Sequence, residues 1–523
     1  MRRVGIFGWG IVAPRSPNVD AFERNLAEGG SWLSAFEGFG PSNFLAGTPQ
    51  FDLADYKAWI DARFPPTRFG QLGKKMGLPA QMAIGAFIQS LAQNPGLEQE
   101  LQALGTQAHV YVGSGLGDVD TTYQASLSVH RAQRRWDRFW AQPQRNSALA
   151  AWLALPPEAR AQSGAPPEPG SVPEHERDEA EDAFWHHWAA RSPQLHEYLR
   201  ELEEIDSLGV EGDVESAKLA VIKEKRTRTQ RLQKKWEAPE PPWGAVSPNL
   251  LWNIHNGGAA QISMMGKITG ATFAPVAACS TFGYSLKLGM NAIALGEARA
   301  VVIGAADPAP HVLTVGGFYS ARVLAATGVS KPLTDLRGTH VAGGAAVWVL
   351  GDYEYMTSRG FKPLGMEPLA VGLTSDADHI ITPSKEGPTA ALHLALERAH
   401  VRPEEVVSWD LHATATPGDH LEVQTLRDTL PEHVLVTARK GTFGHGMGVC
   451  GGWELTAQYM GYARGVLMPT PLQPEELNPE IRKVHERFVY ANGAAAPLGV
   501  AGKMSMGVGG TNACVLSRPW KKA

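Results

Sequence analysis

The chain has 523 residues, of which 43% are hydrophobic and 19% are charged, an ordinary composition for a globular protein with a large buried core. The formal net charge of −5 gives no signal for nucleic acid or a membrane surface, and neither partner is expected. Three cysteines cannot form a disulfide framework, which favours a reducing, cytoplasmic location. No run of about twenty apolar residues is present, so we expect no membrane span.

The first apolar segment, VGIFGWGIVA after Met1-Arg2-Arg3, is short, broken by glycines and not followed by a clear cleavage site. A buried first strand is therefore a better interpretation than a signal peptide. Short apolar runs predict further strands at 109–115, 299–307, 343–352 and 406–412. Helical patterns fall between the strands, at 79–93, 281–295, 387–399 and 451–463. The alternation indicates an α/β protein with helices on both faces of its sheets.

The stretch from about 121 to 245 interrupts this alternation. It holds 20 acidic and 17 basic residues, against 33 and 31 in the other 398 positions, so its charge density is about twice that of the rest. It also contains seven of the 15 tryptophans, Trp136, Trp140, Trp152, Trp185, Trp188, Trp236 and Trp243. This tryptophan content argues against disorder. We interpret the stretch as a helical insertion with its tryptophan faces packed on the body of the protein and its charged faces in solvent.

A cysteine lies at the centre of the segment VAACSTFGYSLKLG. Cys279 falls between a predicted buried strand ending at Ala278 and a predicted helix. The positive end of a helix dipole stabilises a thiolate, and small neighbours leave room for a substrate carbonyl. Taken alone, a lone cysteine in such a place is more often a small packing residue. We interpret the other two cysteines, Cys450 and Cys514, as packing residues.

Two histidines occur in further motifs of this kind. DLHATATPGDHLE has His412 directly after a predicted strand, and KGTFGHGMGVCGGWE has His445 in a glycine-rich loop five residues after Lys440. Each histidine has a plain structural alternative as a hydrogen-bonded loop residue. Glycine-rich loops after strands are, however, where the backbone approaches a ligand closely. SMGVGGTNACVL near the C-terminus is another such turn.

The motifs resemble those of β-ketoacyl-acyl carrier protein synthases of the thiolase-like superfamily, and they follow one another along the chain in the family's order. The resemblance covers nearly the whole chain except the insertion. VAACST is similar to the nucleophile motif, HATAT to the first histidine motif, KGTFGHGMG to the second, and GVGGTN to the C-terminal turn. The resemblance implies that Cys279 carries the acyl group and that His412 and His445 are the catalytic histidines. It further implies that Lys440 and Glu454 orient and tune the second histidine site.

The resemblance also implies a fold of two similar halves in five layers, α-β-α-β-α, with 1–360 carrying the cysteine and 361–523 carrying both histidines. The implied reaction is a decarboxylative condensation of the cysteine-bound acyl group with a malonyl thioester, presented by an acyl carrier protein. Backbone N–H groups of Cys279 and Val508 would form the oxyanion hole. No metal or other cofactor is expected, and the chain is expected to form a homodimer. The resemblance leaves fatty acid and polyketide pathways both open.

Two other functions are alternatives for this chain. A chain-length-determining partner subunit of a heterodimeric ketosynthase typically lacks the nucleophile, whereas Cys279 is present. A non-elongating acyltransferase would need no decarboxylation, and the retention of both histidines favours condensation over that reaction.

The acyl pocket is where this sequence departs most from the family. Met506 and Val508 stand where the family has two phenylalanines, one of which normally gates the pocket, whereas Phe318 matches a family phenylalanine beside it. Ala413 and Gly344 replace a usual glycine and a usual acidic residue. Looser gating and an unusual acyl preference are therefore expected.

Basic residues Arg63, Arg68, Lys74 and Lys75 cluster where the family's N-terminal half presents such residues. They are a candidate patch for an acidic carrier protein, with a plain solvated surface as the alternative. GSGLGD at 113–118 lacks the third glycine of a dinucleotide loop, so nucleotide binding is not expected. The adjacent pair at 186–187 is not expected to bind metal, because neighbouring residues on a helix point in different directions.

Overall fold

The computed structural model describes residues 2–209 and 214–520. Seven of its strands precede residue 360: β1 (Val4–Val12), β2 (Ser34–Ala35), β3 (Leu45–Ala46), β4 (Ala108–Gly113), β5 (Thr272–Phe273), β6 (Ala300–Asp307) and β7 (Gly344–Asp352). Seven follow it: β8 (Met366–Ser375), β9 (Val406–Asp410), β10 (Leu435–Thr437), β11 (Val466–Leu467), β12 (Ala494–Ala495), β13 (Val500–Gly507) and β14 (Thr511–Pro519).

The helices fall into three groups along the chain. Before the insertion lie α1 (Val19–Glu28), α2 (Lys57–Asp61), α3 (Thr67–Lys75), α4 (Leu78–Ala92) and α5 (Leu97–Leu104). The charged stretch contains α6 (Val119–Trp140), α7 (Ser147–Leu153), α8 (Pro157–Gln162), α9 (Arg177–Ala189), α10 (Pro193–Asp206) and α11 (Val214–Trp236). The remainder are α12 (Gly257–Gly266), α13 (Thr281–Leu295), α14 (Val312–Ser320), α15 (Tyr353–Ser358), α16 (Glu386–Ala399), α17 (Gly418–Thr429), α18 (Lys440–Phe443), α19 (Cys450–Arg464) and α20 (Pro479–Val484).

The main strands form two five-stranded mixed sheets. The first has the order β1-β7-β6-β4-β5 and the second the order β10-β9-β13-β14-β8. Every residue of β1, β6 and β7 is buried, as expected for strands covered on both faces. The predicted strands at the N-terminus, 109–115, 299–307, 343–352 and 406–412 are all confirmed. So are the four predicted helices, which correspond to α4, α13, α16 and α19.

Helices separate and cover the two sheets. On the first sheet, α4 packs against β1 and β7, and α12 packs against β4. Both α13 and α19 contact strands of the two sheets and so lie between them, while α16 covers β8 and β14 on the far side. The predicted five-layer order α-β-α-β-α follows from these contacts.

The division of the chain into halves at residue 360 stays a prediction. Each sheet draws its strands from one side of that residue. The chain outside the insertion nevertheless forms one compact unit, made of Met1–Asp120 and Leu251–Ala523.

The strand predicted to lead to Cys279 is shorter than expected. β5 ends at Phe273, and Ala278 lies in a 3₁₀ turn with φ of 45°. Pro275 follows the strand by two residues and has no N–H to donate to the ladder, and β5 is an edge strand. The prediction of a buried strand ending at Ala278 is therefore wrong, while the helix after the cysteine is confirmed.

The insertion, Thr121–Leu250, forms a second compact unit and is helical, as predicted. Its tryptophans pack on one another: ring centroids are 5.6 Å apart for Trp136 and Trp140 and 5.1 Å apart for Trp152 and Trp188. With neighbours such as Tyr198 they build a core from residues of the insertion itself. The helices of the insertion thus supply enough apolar surface for a core of their own, and the expectation that the tryptophan faces pack on the body of the protein stays a prediction.

Candidate active site

A cavity of about 310 Å³ contains the predicted site residues. It is lined by the nucleophile candidate, both histidines and all three predicted gate residues, Cys279, His412, His445, Phe318, Met506 and Val508. These residues come from motifs far apart in the sequence. The fold therefore brings together the groups that the motifs singled out.

Cys279 lies in the 3₁₀ turn Ala278–Ser280, directly before α13. The next residue ties this turn to the second sheet, because the Ser280 hydroxyl donates to the carbonyl oxygens of Ser505 and Thr511 at 3.1 and 2.9 Å. The same sheet brings in Val508, whose backbone N–H reaches the Cys279 sulfur. Cys279 itself is only 6% exposed, and it lines the cavity.

Burial decides the protonation state of this thiol. Burial raises the pKa of Cys279 to about 11, against the opposing effects of the Val508 N–H and the Lys440 ammonium group. Asp307 adds a smaller effect in the same direction as burial. The sequence predicted a stabilised thiolate from the helix N-terminus. That prediction was wrong in its net direction, because removal of the charge from water outweighs the nearby positive groups.

His445 is held with a defined proton position. Its Nδ1 accepts a hydrogen bond from the Met447 backbone N–H at 3.0 Å, and the backbone N–H of His445 donates to the His340 carbonyl at 2.6 Å. Burial lowers the pKa of His445 to about 3, and Lys440 adds to this effect. The ring is therefore neutral at neutral pH, and because Nδ1 is an acceptor, the proton is on Nε2.

His412 is held in the same state by different partners. Its backbone N–H donates to Glu422 Oε1 at 2.7 Å. Lys440 Nζ lies 3.4 Å from the ring Nδ1 and also donates to the backbone carbonyl of His412. Burial, followed by Lys440, His445 and Lys503, lowers the pKa of His412 well below its usual value. The two imidazole centroids are 5.4 Å apart with planes at 81°. The cavity thus contains two neutral rings, each with Nε2–H as its donor.

Lys440 and Glu454 form a buried ion pair at 2.8 Å, with side chains 1% and 0% exposed. The family resemblance implied that this pair orients and tunes the second histidine site, that of His445. Lys440 contacts His412, the first histidine, and its positive charge lowers the pKa of both rings. Glu454 opposes this effect at His445, and the role of the pair in tuning that histidine stays a prediction.

Two carboxylates that sequence reasoning missed shape the loop after β9. Glu422 accepts from the N–H groups of His412 and Ala413 at 2.7 and 2.8 Å, and Asp419 accepts from those of Thr414 and Ala415 at 2.8 and 3.1 Å. Burial raises the pKa of Glu422 to about 7 and that of Asp419 to about 6. The signal was present in the quoted motif, since both acids lie in the DHLE segment that follows HATAT.

Asp307, at the end of β6, is the third missed carboxylate. It accepts from the Ser114 hydroxyl at 3.0 Å and from the N–H groups of Gly115, Leu116 and Val449 at 2.8, 2.9 and 3.0 Å. It thereby links the GSGLGD loop to the loop that follows His445. This glycine loop uses its N–H groups on a carboxylate of the protein itself, in agreement with the prediction that it is not a dinucleotide loop.

The structure explains one departure from the family. Gly344 has φ of 154°, and a Cβ there would collide with the carbonyl of Val12 and with the Trp453 ring. An acidic side chain has no room at this position. Ala413, by contrast, is buried without such strain, with its N–H on Glu422.

The four residues of the candidate carrier patch differ in their surroundings. Arg63 forms two hydrogen bonds of 2.7 Å with Glu98 and lies over the Trp59 ring. Arg68 donates to Gln261 at 2.9 Å, and burial lowers its pKa. Lys74 and Lys75 end α3. The charge of Arg63 is therefore compensated by a carboxylate, and Lys75 lies over the Trp252 ring at 4.5 Å.

Comparison with known families agrees with this site. The profile of the β-ketoacyl synthase N-terminal domain matches residues 1–165 and 220–354, and that of the C-terminal domain matches residues 368–472. The chain therefore belongs to the β-ketoacyl synthase family. The unmatched stretch 166–219 falls within the insertion.

Curated relatives align over part of their length. The mitochondrial 3-oxoacyl-[acyl-carrier-protein] synthase of Arabidopsis thaliana is 30% identical over 292 residues, which is 51% of this chain and 60% of the relative. The 3-oxoacyl-[acyl-carrier-protein] synthase 2 of Vibrio cholerae is 31% identical over 278 residues, which is 49% of this chain and 64% of the relative. This chain thus spans a little under two thirds of these relatives.

Solved structures share the whole fold. An ishigamide ketosynthase/chain length factor superposes with a TM-score of 0.68 at 19% identity, covering 99% of both chains. A β-ketoacyl synthase from Burkholderia phymatum superposes with a TM-score of 0.67 at 19% identity, covering 100% of both. The predicted thiolase-like fold is confirmed. Within the described residues no helix is long and apolar enough to cross a membrane, and no cluster of metal-binding side chains occurs.

Proposed function

We propose that the protein is a β-ketoacyl synthase that condenses a cysteine-bound acyl group with a malonyl thioester, with loss of carbon dioxide. The observation that carries the proposal is the pair of neutral, Nε2-protonated histidines beside a buried cysteine in one cavity. Hydrogen-bond donors fixed in a site of low dielectric stabilise an oxyanion without reorganising during the reaction. A thioester enolate is such an oxyanion.

The first half-reaction is acyl transfer to the cysteine. The Cys279 sulfur attacks the carbonyl of an acyl thioester, the bond to the carrier sulfur breaks, and the thiol proton ends on the departing carrier thiol. Backbone N–H groups of Cys279 and Val508 would stabilise the tetrahedral oxyanion; both act on the sulfur in the resting state. Because burial raises the pKa of this thiol, the resting protein holds it in the protonated form at neutral pH.

The second half-reaction is decarboxylation and carbon–carbon bond formation. The Nε2–H groups of His412 and His445 donate to the malonyl thioester carbonyl. As carbon dioxide leaves, its bonding electrons form the enolate, and the enolate carbon attacks the acyl-cysteine carbonyl. Collapse of the resulting oxyanion releases the β-ketoacyl thioester and the Cys279 thiolate, which takes a proton from water. Loss of either histidine should cost about 2–4 kcal/mol of transition-state stabilisation.

Two measurements test the two half-reactions separately. Intact mass after incubation with acyl carrier proteins should show one acyl adduct, absent in Cys279→Ala and retained in the matched variant Cys450→Ala. Carbon dioxide release from malonyl thioester should fall in His412→Ala and His445→Ala, while acylation persists. An adduct on Cys279→Ala, or near wild-type release in both histidine variants, would refute the mechanism.

The non-elongating acyltransferase and the chain-length-determining subunit predict different results. The first would acylate without releasing carbon dioxide, and the second would do neither. Solved neighbours include a ketosynthase/chain length factor, so the subunit function has a precedent within this fold. The presence of Cys279 in the cavity favours the catalytic function.

The acyl pocket is proposed to be gated loosely. Val508 is 48% exposed at the cavity wall, beside Met506, and neither side chain has a ring that could close the passage. Phe318 lies with its ring centroid 6.4 Å from that of His445 and is the aromatic group left to shape the pocket.

An acyl carrier protein is proposed as the partner that presents both substrates, by analogy with the relatives named for it. The proposed docking patch is Lys74 and Lys75 with Arg63 and Arg68. Reversing the charge of both lysines should weaken carrier binding and reduce its salt dependence. Binding that changes neither with salt nor with the double reversal would argue for a plain solvated surface.

A two-fold homodimer is proposed as the assembly. β5 is the open edge of the first sheet, and Phe273 and Val276 beside it are 40% and 56% exposed. An apolar sheet edge is a surface that a second chain can cover. A monomer mass by light scattering at micromolar concentration would contradict this assembly.

We place the protein in the cytoplasm, since all three cysteines are free thiols.

A further inference from the structure

Behind the two histidines, five charged side chains form a continuous chain of ion pairs. Lys440 Nζ lies 2.8 Å from Glu454 Oε1, Lys503 Nζ lies 2.8 Å from Glu454 Oε2, and Lys503 Nζ lies 3.6 Å from Asp410 Oδ1. Arg439 Nε closes the chain at 2.8 Å from Asp410 Oδ2. All five side chains are 0–1% exposed. The signs alternate, and three cations against two carboxylates leave one net positive charge.

The inner pair, Lys440 and Glu454, reaches His412 directly through Lys440. The outer three side chains, Asp410, Lys503 and Arg439, contact no substrate surface of the cavity. Burying charges far from water costs free energy even when they are paired. Apolar side chains packed at these positions would stabilise the fold at least as well. The outer three side chains therefore need an explanation that involves the site.

Lys503 links this outer layer to the backbone that carries His412. It is on β13, directly opposite Asp410 on β9 in the parallel ladder. Its Nζ also donates to the carbonyl of Leu411 at 3.1 Å, and Leu411 immediately precedes His412. The Lys503 ammonium group therefore binds two things. It binds Glu454, which in turn binds Lys440, and it binds the end of the strand that precedes His412.

We propose that Lys503 is a positioning residue of the decarboxylating centre, which with Asp410 and Arg439 keeps Glu454 on Lys440 and Lys440 on His412. The inference rests on the proposed function for its catalytic consequence. The placement itself rests on the ion pairs and on the contact with Leu411. Lys503 acts through its neighbours and does not touch the cavity.

The charged side chains of this chain of ion pairs also change the pKa of the two imidazoles. Lys440 and Lys503 both lower the pKa of His412 and of His445, and Glu454 opposes them at His445. Other ionisable groups near these rings are Glu422, which binds the His412 backbone, and Cys279, Asp376 and Asp419, which line the same cavity. Cys450 acts on Lys440 from the start of α19. Without Lys503 the chain of ion pairs would carry no net charge. His412 would then protonate more readily, and a proton on Nδ1 would displace Lys440.

The test compares Lys503→Met with wild type in two ways. In the full chain labelled with [¹³C]histidine, the NMR titration midpoints of His412 and His445 should rise in the variant. Carbon dioxide release from malonyl thioester should fall by about tenfold, with its acid limb moved to higher pH, while acylation of Cys279 is unchanged. Lys287→Met, at a half-buried lysine of α13, is the matched control and should behave as wild type.

A second variant separates charge from folding. Asp410→Asn combined with Lys503→Met removes one charge of each sign, so the net charge of the cluster stays at its original value. Glu454 keeps Lys440, and the amide oxygen of the introduced asparagine can still accept a hydrogen bond from Arg439 Nε. It should fold, and its histidine titration should return toward that of wild type, while carbon dioxide release stays slowed because Leu411 still lacks its donor. If Lys503→Met does not fold, this double variant decides the question.

Three results would overturn the inference. They are unchanged histidine titration in a folded Lys503→Met, loss of acylation equal to the loss of decarboxylation, and wild-type carbon dioxide release in the double variant. The NMR titration needs no substrate. If the wild-type protein released no carbon dioxide, the proposed function would fail while the positioning of His412 by Lys503 could still be judged.

Discussion

The protonation of Cys279 gives the sharpest quantitative prediction. Burial raises the pKa of this thiol to about 11 from an ordinary value of 9.0. The fraction of thiolate at neutral pH should therefore be about a hundredfold lower than for an exposed cysteine. Since the thiolate is the form that reacts with alkylating agents, the rate of modification reports this fraction directly.

The assay is alkylation by iodoacetamide, followed by intact mass, at a series of pH values. The rate should rise about tenfold for each pH unit between pH 6 and pH 10, without a plateau. Lys440→Met should react more slowly at each pH, because the ammonium group opposes the effect of burial on the pKa of Cys279. Cys279→Ala should gain no adduct, since Cys450 and Cys514 are buried and do not line the cavity.

A plateau below pH 9 would refute this reasoning. It would mean that the helix N-terminus and the Val508 N–H outweigh burial and that the thiolate exists before substrate arrives. Faster reaction of Lys440→Met would likewise contradict the proposed balance of charges at the sulfur.

Four further outcomes are expected. Asp307→Asn should lower the free energy of unfolding in urea by about 2–4 kcal/mol, because an amide cannot accept all four hydrogen bonds; a loss below about 0.5 kcal/mol would contradict this. Gly344→Ala should cost about 1–3 kcal/mol in the same assay through overlap with the Val12 carbonyl, and wild-type stability would show that the backbone relaxes freely. Val508→Phe should narrow the range of acyl thioesters accepted, and an unchanged profile would remove Val508 from the gate. Since burial raises the pKa of Glu422 to about 7, the folded state binds its proton more tightly than the unfolded state, so stability should fall as pH rises from about 4.5 to 7; Glu422→Gln should flatten this dependence in urea titrations, and an equal slope would assign it elsewhere.

The sequence by itself determined the elements and the chemistry-bearing side chains. Runs of apolar residues predicted β1, β4, β6, β7 and β9, because the apolar pattern of a strand is a local property of the sequence. The motifs likewise singled out Cys279, His412 and His445, which the fold places in one cavity. A short motif can be recognised from the sequence alone, whatever packs against it in the fold.

Only the tertiary structure decided the electrostatics of the site. Lys503 and Asp410 are 93 positions apart in the chain, and they meet because β13 and β9 pair in one register, which no local pattern announces. The same holds for the contact of Lys440 with His412 and for the raised pKa of Cys279. Desolvation depends on every atom that surrounds a group, and ion pairing depends on distances between remote segments. Both quantities come into existence only when the chain is folded.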